Sequence, residues 1–314
     1  MPPKKVLCFA SYFLPGFKSG GPVRSLMNLF GWLGGDFEFR VITRDRDLGD
    51  SVPYGDRSPG RWFPEAGVQV QYLSAPRAIP TAMEHVLRDF QPDLLYFNSF
   101  MDPALSIAPM LYRRLGRLGS RIPVLIAPRG EFSPGALSIK RTKKAGYLRA
   151  ARVLGVYGDV TWHATSNHEC EHIRAQWGAD ARIALAPNLP PAGLGSEPRS
   201  FPKQAGSLRL VFLSRISRMK NLDGALKILS GVQTRVHLDI YGMREDEAYW
   251  RQCTQLIERL PANVSATYRG EVPPERVMAT LAQYDLFLFP SLGENFGHVV
   301  LEALLSGCPV LISD

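Results

Sequence analysis

Short apolar runs alternate with helix-period segments along nearly the whole 314-residue chain, and no other feature restricts the fold as much. Residues 6–10, 39–43, 68–73, 94–97, 124–127, 160–164 and 183–186 read as strands. Each is apolar almost without a break, as a parallel strand is when helices cover both faces of its sheet. Between them, 22–33, 81–90, 103–118, 137–154 and 167–177 carry the helical period, the first with a proline near its start. Strand–helix–strand grammar of this kind predicts a parallel sheet.

A Pro/Gly/Ser-rich stretch at 189–207 interrupts the series, which then restarts. The second series has strands at 208–213, 236–241, 264–268, 286–289 and 310–312, with helices at 222–230, 245–260, 274–283 and 297–305. The expected fold class is α/β, with two Rossmann-like doubly wound domains. A first domain at 1–190 and a linker at 191–207 precede a second domain at 208–314. Two open sheets joined in this way are expected to face a cleft at their strands' carboxyl ends, where such sheets bind ligands.

Composition narrows the setting. With 45% hydrophobic and 10% aromatic residues the chain has enough apolar material for a core, which excludes a mainly disordered state. No apolar run approaches the roughly 20 residues that span a bilayer, and the N-terminal run after Lys4-Lys5 is too short for a signal peptide. A soluble, cytoplasmic chain is expected. Cys8, Cys170, Cys253 and Cys308 lie far apart, which argues against disulfides and a zinc ribbon and for buried, reduced thiols. The net charge of +8 sits wholly in the first 190 residues, which hold 24 Lys and Arg against 16 Asp and Glu. Lys140, Arg141, Lys143, Lys144, Arg149 and Arg152 fall in one run without an acid. Such a run attracts a polyanion, an anionic lipid or a phosphorylated substrate, or simply forms a solvated helix face.

Two segments of the second domain carry candidate chemistry. In the first, a strand at 286–289 turns through Pro290-Ser291-Leu292-Gly293 into Glu294-Asn295-Phe296-Gly297, which opens a helix carrying Glu302. Unpaired amides at Asn295–His298 and the absence of a side chain at Gly297 suit a phosphate. Seven residues separate Glu294 from Glu302, which predicts one carboxylate at the helix mouth and the other about two turns along. In the second segment, a buried strand emerges into Ser214-Arg215-Ile216-Ser217-Arg218-Met219-Lys220-Asn221. Its guanidinium forks and point-charge ammonium suit a diphosphate.

Other motifs compete less well. His168-Glu169-Cys170-Glu171-His172 is a literal H-E-x-x-H, which could hold zinc with Glu169 as general base, and Glu197 could supply a distant third ligand. Asp45-Arg46-Asp47 has an Asp-x-Asp form but reads as part of a solvated polar loop. Gly16-x₄-Gly21 lacks the Lys of a phosphate-binding P-loop, because Pro22 stands there. His163 reads as a hydrogen-bonded structural histidine.

Taken together, Arg215-x₄-Lys220 and Glu294-x₇-Glu302, with Gly293, Phe296, Gly297, Ala303, Gly307 and Pro309 around them, resemble the retaining, nucleotide-sugar-dependent glycosyltransferases of family four, which have the GT-B fold. Ser19-Gly20-Gly21-Pro22 resembles that family's glycine loop beside the donor phosphates. Ala127-Pro128-Arg129-Gly130-Glu131, Ser133-Pro134-Gly135-Ala136-Leu137 and Lys143-Lys144 resemble members that build bacterial surface polysaccharides, although many relatives have His at the position of Gly130. Thr165-Ser166-x-x-Glu169 and Pro187-Asn188 also fit. Relatives continue past Asp314, so the resemblance implies a second domain incomplete at its C-terminus.

The resemblance implies hexosyl transfer from a nucleoside-diphosphate sugar, as co-substrate, to a glycan or lipid-linked glycan, with retention of configuration and with no metal or other cofactor. It assigns Arg215, Lys220 and Glu294 to catalysis, Glu302, Asn295, Phe296, Gly297, Gly20 and Gly21 to the donor, and Arg129, Lys143 and Lys144 to the acceptor side. The basic run adds an anionic membrane surface as an expected partner, which would make the protein peripheral on the inner membrane. Nucleic acid is not expected, since the aromatic–basic interleaving of such binders is missing. The alternatives are a zinc metallopeptidase built on His168 and His172, or a nucleotide-sugar-binding protein without turnover.

Overall fold

The computed structural model describes residues 2–74, 79–117, 119, 121–192, 205–294 and 296–313. The chain divides into two compact units, Met1–Ala192 and Gly193–Asp314. Most of the expected linker, at 193–204, lies outside the described residues. Residues 189–190 belong with the first unit: Asn28 Nδ2 donates to the Leu189 carbonyl at 2.7 Å and Trp32 Nε1 to that of Pro190 at 2.8 Å.

In the first unit, β1 (Lys4–Phe9), β2 (Phe37–Arg44), β3 (Trp62–Glu65), β4 (Val68–Leu73), β5 (Leu94–Phe97), β6 (Val124–Ile126), β7 (Thr161–Ala164) and β8 (Ile183–Leu185) form one sheet. Its order is β3-β4-β2-β1-β5-β6-β7-β8. Successive side chains of a strand point to opposite faces. Leu7 and Phe9 accordingly enter one apolar cluster and Val6 and Cys8 the other. Burial on both faces is why these runs are continuously apolar. The helices are α1 (Gly21–Leu33), α2 (Ile79–Phe90), α3 (Ala108–Arg114), α4 (Pro134–Ser138), α5 (Arg141–Val153) and α6 (Asn167–Trp177).

The second unit has β9 (Ser207–Leu213), β10 (Arg235–Tyr241), β11 (Val264–Gly270), β12 (Leu286–Phe289) and β13 (Val310–Ile312), ordered β11-β10-β9-β12-β13 and parallel throughout. Helices α7 (Leu222–Ser230), α8 (Glu247–Ile257), α9 (Val277–Leu281) and α10 (His298–Leu305) connect them. Strand order reverses between β1 and β5 in one sheet and between β9 and β12 in the other. Loops leaving those pairs diverge and open a crevice at the carboxyl ends.

Four local features differ from expectation. Strand β3 was not expected; it pairs antiparallel with β4 across Ala66 and Gly67, both at positive φ, a two-residue hairpin turn with β3 at the sheet edge where Pro64 is tolerated. The helix expected at 137–154 is two helices. Ser133 caps the first, Ile139 is extended, and Lys140 takes a left-handed conformation before α5 begins. The helix expected at 103–118 opens with a wide π turn at Pro103–Ile107 before α3, because Pro109 has no amide to give to the carbonyl four residues back. Asp45 and Asp47 are buried rather than solvated. The Asp47 carboxylate accepts from the amides of Phe17 (2.8 Å), Lys18 (3.1 Å) and Leu48 (2.7 Å), and so shapes the loop that leads to Gly20.

Phe100 is fully buried at the centre of an aromatic cluster, with ring centroids 4.8 Å from Phe132, 4.9 Å from Tyr157 and 5.7 Å from Trp162. Phe100→Ala should destabilise the first unit by about 3–5 kcal/mol. A urea-unfolding midpoint equal to the parent's would show that this cluster does not hold the unit together.

Candidate active site

Lys220 and Glu294 owe their places to the reversal between β9 and β12. After β9, the chain runs through 214–217 and a tight turn at Arg218–Lys220, and Asn221 in a left-handed conformation then starts α7. After β12, it runs through Pro290 to Glu294. The two loops are stitched together: Asn221 Nδ2 donates to the Pro290 carbonyl at 2.8 Å, and the Leu292 amide to that of Met219 at 2.9 Å. This brings Lys220 against Glu294, and the Lys220 ammonium donates to Glu294 Oε1. Ser291 Oγ donates to the same oxygen at 3.0 Å, and the ammonium lies 5.6 Å from the centre of the Phe289 ring.

Arg215 also stands at the carboxyl end of β9, but its partner comes from the other neighbouring strand. Its Nη1 lies 2.9 Å from both carboxylate oxygens of Glu245, in the loop after β10. Arg218 Nε is 3.9 Å from Asp246 Oδ2, and its guanidinium stacks on Tyr249 at 5.3 Å. Glu245 is absent from the sequence-derived site. The signal was available in the adjacent acids Glu245 and Asp246 in the loop that follows a strand, but it needed the strand order β10-β9-β12 to become legible.

Helix α10 begins at His298, with Gly297 before it in a left-handed conformation. Glu294 therefore lies at the mouth, in the loop ahead of the helix, as expected, and Glu302 is buried about one turn inside the helix rather than two turns along. Phe296 packs its ring against His298 with centroids 4.6 Å apart. Asn295 lies outside the described residues.

In the first unit, Gly20 precedes α1 at φ +69°, and its carbonyl accepts from the amides of Val23 and Arg24. A Cβ at Gly20 would meet nothing within 4 Å, so glycine stands there for its backbone conformation, not for space. Gly21 is the first residue of α1. The Arg129 guanidinium is held by three partners: Asn98 Oδ1 (2.7 Å), Asn188 Oδ1 (2.5 Å) and Tyr96 OH (2.9 Å). Glu131 accepts from the amides of Phe100 and Met101 and from Ser99 Oγ; burial raises its pKa, and those donors offset part of the rise. Arg129 and Glu131 thus knit the loops after β5, β6 and β8.

Lys144 and Lys143 begin α5. Lys144 donates to the Ala136 carbonyl at 2.6 Å and fastens α4 to α5, whereas Lys143 is exposed. Helix α5 buries only Leu148 and Ala151. Its cations Arg141, Lys143, Arg149 and Arg152 are exposed, and so are Val153 at 80% and Leu154 at 57%. Leu115, exposed at 69%, belongs to the same corner, because Arg114 Nε donates to the Leu154 carbonyl.

The H-E-x-x-H has a structural explanation. Ser166 caps α6, and Glu169 is buried with its carboxylate accepting from Gly130 N (2.7 Å), Thr165 N (2.8 Å) and Thr165 Oγ1 (2.7 Å). A carboxylate so engaged is not available as a general base. Among the described residues, no three His, Cys, Asp or Glu side chains converge as a metal-holding group, and no helix is long and apolar enough to cross a membrane.

Comparison with known proteins bears on both units. The family model described as Glycosyl transferase 4-like domain matches residues 20–188, and that described as Glycosyl transferases group 1 matches 196–314. The chain is 33% identical over 110 residues to the O-antigen chain mannosyltransferase B of Escherichia coli, covering 33% of this chain and 28% of that protein. It is 28% identical over 151 residues to the phosphatidyl-myo-inositol mannosyltransferase of Mycobacterium leprae, covering 45% and 39%. The matches thus span well under half the length of these curated relatives. Among solved structures, Anabaena HepE in complex with UDP-glucose aligns with a TM-score of 0.66 at 16% identity, over 98% of this chain and 80% of that one. Sucrose-phosphate synthase from Thermosynechococcus elongatus aligns at 0.69 and 14%, over 98% and 81%. The fold is therefore the two-domain α/β GT-B class.

The polar end of the first sheet makes a pH-dependent contribution to stability. His163 Nε2 donates to the Ala186 carbonyl at 2.9 Å, which leaves Nδ1 to accept from Tyr96 OH at 2.9 Å. Burial, and then the Arg129 charge, lower its pKa from the usual 6.5. Below that value the unfolded chain takes up a proton that the folded chain refuses. Stability should therefore fall as pH drops below about 6.5 and level off above it. His163→Gln should flatten this limb in thermal unfolding between about pH 5 and 8; an unchanged profile would assign the limb to another group.

Proposed function

The chain belongs to the glycosyl transferase 4-like family, and from that membership we propose that it moves a hexosyl group from a nucleoside-diphosphate sugar to a glycan or lipid-linked glycan with retention of anomeric configuration. The observation that carries the reading is the meeting of Lys220 and Glu294 at the reversal point of the second sheet, with Arg215 on the same loop as Lys220. Similarity to two mannosyltransferases, and the UDP-glucose bound by HepE, support a hexose on a nucleoside diphosphate.

In the proposed reaction the bond from the anomeric carbon to the diphosphate oxygen breaks, and its electron pair stays on the phosphate. The anomeric carbon becomes cationic, so stabilisation is most effective at the leaving oxygen. Arg215, Lys220 and the amides opening α10 supply it as fixed positive charge and dipole. Glu294 contacts the transferred sugar and Glu302 the donor ribose. The acceptor oxygen bonds to the anomeric carbon on the face the phosphate leaves, and its proton passes to that phosphate. In the first unit, Arg129 holds the proposed acceptor-side loops in place. With cations already at the diphosphate, this scheme asks for no metal.

Lys220→Ala should lower kcat about a hundred- to a thousandfold, the loss expected when one donor to a developing anion is removed. Thermal shifts with UDP-, GDP- and ADP-sugars should name the nucleotide and should shrink in the same variant. A shift without sugar transfer to any glycan acceptor would favour a nucleotide-sugar-binding protein. Glu294→Ala at the parent rate would remove Glu294 from catalysis.

The acceptor reading extends to a membrane surface. Exposed cations and exposed aliphatic residues share the α5 corner, a pairing that suits an anionic bilayer better than water. The cytoplasmic face of the inner membrane is then the expected place of work. Vesicles containing phosphatidylglycerol should float with the protein at low salt, and Val153→Asp with Leu154→Asp should weaken this. Equal flotation with neutral vesicles would count against the surface.

A further inference from the structure

The transfer scheme assigns the Arg215 guanidinium to the donor diphosphate, yet a carboxylate of the protein already takes it. Both oxygens of Glu245 lie 2.9 Å from Arg215 Nη1. The backbone fixes this meeting. Beyond the ends of β9 and β10, the Ser214 amide donates to the Tyr241 carbonyl at 3.1 Å and the Ile216 amide to that of Met243 at 2.8 Å. At Gly242, a Cβ would stand 1.8 Å from the Ser214 carbonyl oxygen, so only glycine lets the two loops run this close. Asp246, the next residue, is committed elsewhere: it caps α8 by accepting from the Tyr249 amide at 2.9 Å.

We propose that Glu245 competes with the donor diphosphate for Arg215, so that donor enters and product nucleoside diphosphate leaves by exchanging one anion for another on a single guanidinium. This rests on the reading of Arg215 as a diphosphate ligand. Exposure makes the exchange easy, since the side chains of Arg215 and Glu245 are 36% and 38% exposed. An ion pair that wet is weak and gives way to a ligand carrying more charge and more oxygens. The carboxylate keeps the arginine aimed and spares it a wrong anion, and it weakens the grip on product by the same amount. A residue that only braced Arg215 for the donor would act in the opposite direction, because its loss would weaken binding.

The test is calorimetric titration with UDP, GDP and ADP of the parent, Glu245→Gln, Glu245→Ala, Glu245→Asp and Arg215→Ala. For whichever nucleotide the parent binds, Glu245→Gln and Glu245→Ala should bind about two- to fivefold tighter, the scale of one exposed ion pair. Glu245→Asp, which keeps the charge, should stay near the parent, and melting temperatures should agree. Equal or weaker binding by both uncharged variants, with Arg215→Ala impaired, overturns the competition and leaves Arg215 as a diphosphate ligand. Binding by Arg215→Ala as tight as the parent's, or no binding by the parent, removes the diphosphate reading and the competition with it.

Discussion

Strands β9 and β12 lie side by side, but the chain leaves them in opposite directions, towards β10 from one and towards β13 from the other. No crossover helix can cover both carboxyl ends, so a crevice opens at this one place in the sheet. Lys220 and Glu294 stand at its edge. Lys220 comes from the loop after β9, Glu294 from the loop after β12, and Arg215 faces the loop after β10. The first unit repeats the arrangement between β1 and β5: Asp102, just after β5, accepts from Ser11 Oγ just after β1 and pairs with Arg44 at the end of β2. A parallel sheet thus settles where the chemistry can be before any catalytic side chain is chosen.

What the amino-acid order reveals follows the range of the interaction that decides it. Strand β12 and helices α6 and α7 are readable to the residue, because an apolar run, a cap such as Ser166 or Asn221 and a helical period are all local signals. Lys220 and Glu294 are readable because each stands next to such an element. Lys140 interrupting a helical period, Trp62–Glu65 pairing at an edge and Asp47 turning inward depend on partners elsewhere in the chain. For Asp47 these are the amides of Phe17 and Lys18, about thirty residues away, and an aspartate in a polar stretch gives no local sign of them. Glu245 was hidden for the same reason: its meaning lies in Arg215, one strand over.

The two units use arginine in contrasting ways. Arg44 meets Asp102 through both terminal nitrogens, at 2.6 and 2.9 Å, and Asp102 also accepts from the amides of Ala104 and Leu105. Burial raises the Asp102 pKa, but the hydrogen bonds and charge of Arg44 more than offset this and hold it below the usual 3.8. Breaking that pair would leave a buried carboxylate without its counter-charge, which is costly, so the pair belongs to the scaffold. Arg215 and Glu245 are both partly in water and either can be re-solvated, so the same chemistry becomes exchangeable.

That contrast shows how one sheet end can be rigid and receptive together. The precision of the candidate site lies in backbone contacts, such as Ile216 N to the Met243 carbonyl and Leu292 N to the Met219 carbonyl, which do not depend on what the side chains hold. Its adaptability lies in carboxylate–cation pairs at the tips, where a partner can leave without moving a strand. In the proposed reaction a diphosphate arriving among these groups would have little backbone to reorder, and its binding free energy would go into replacing carboxylate contacts with phosphate contacts. Fixed dipoles and charges that need no reorganisation during reaction are what electrostatic stabilisation of a leaving phosphate requires. Gly242 brings the two loops within hydrogen-bonding distance and thereby sets where Arg215 stands, so in the proposed scheme it would serve that end as directly as Lys220.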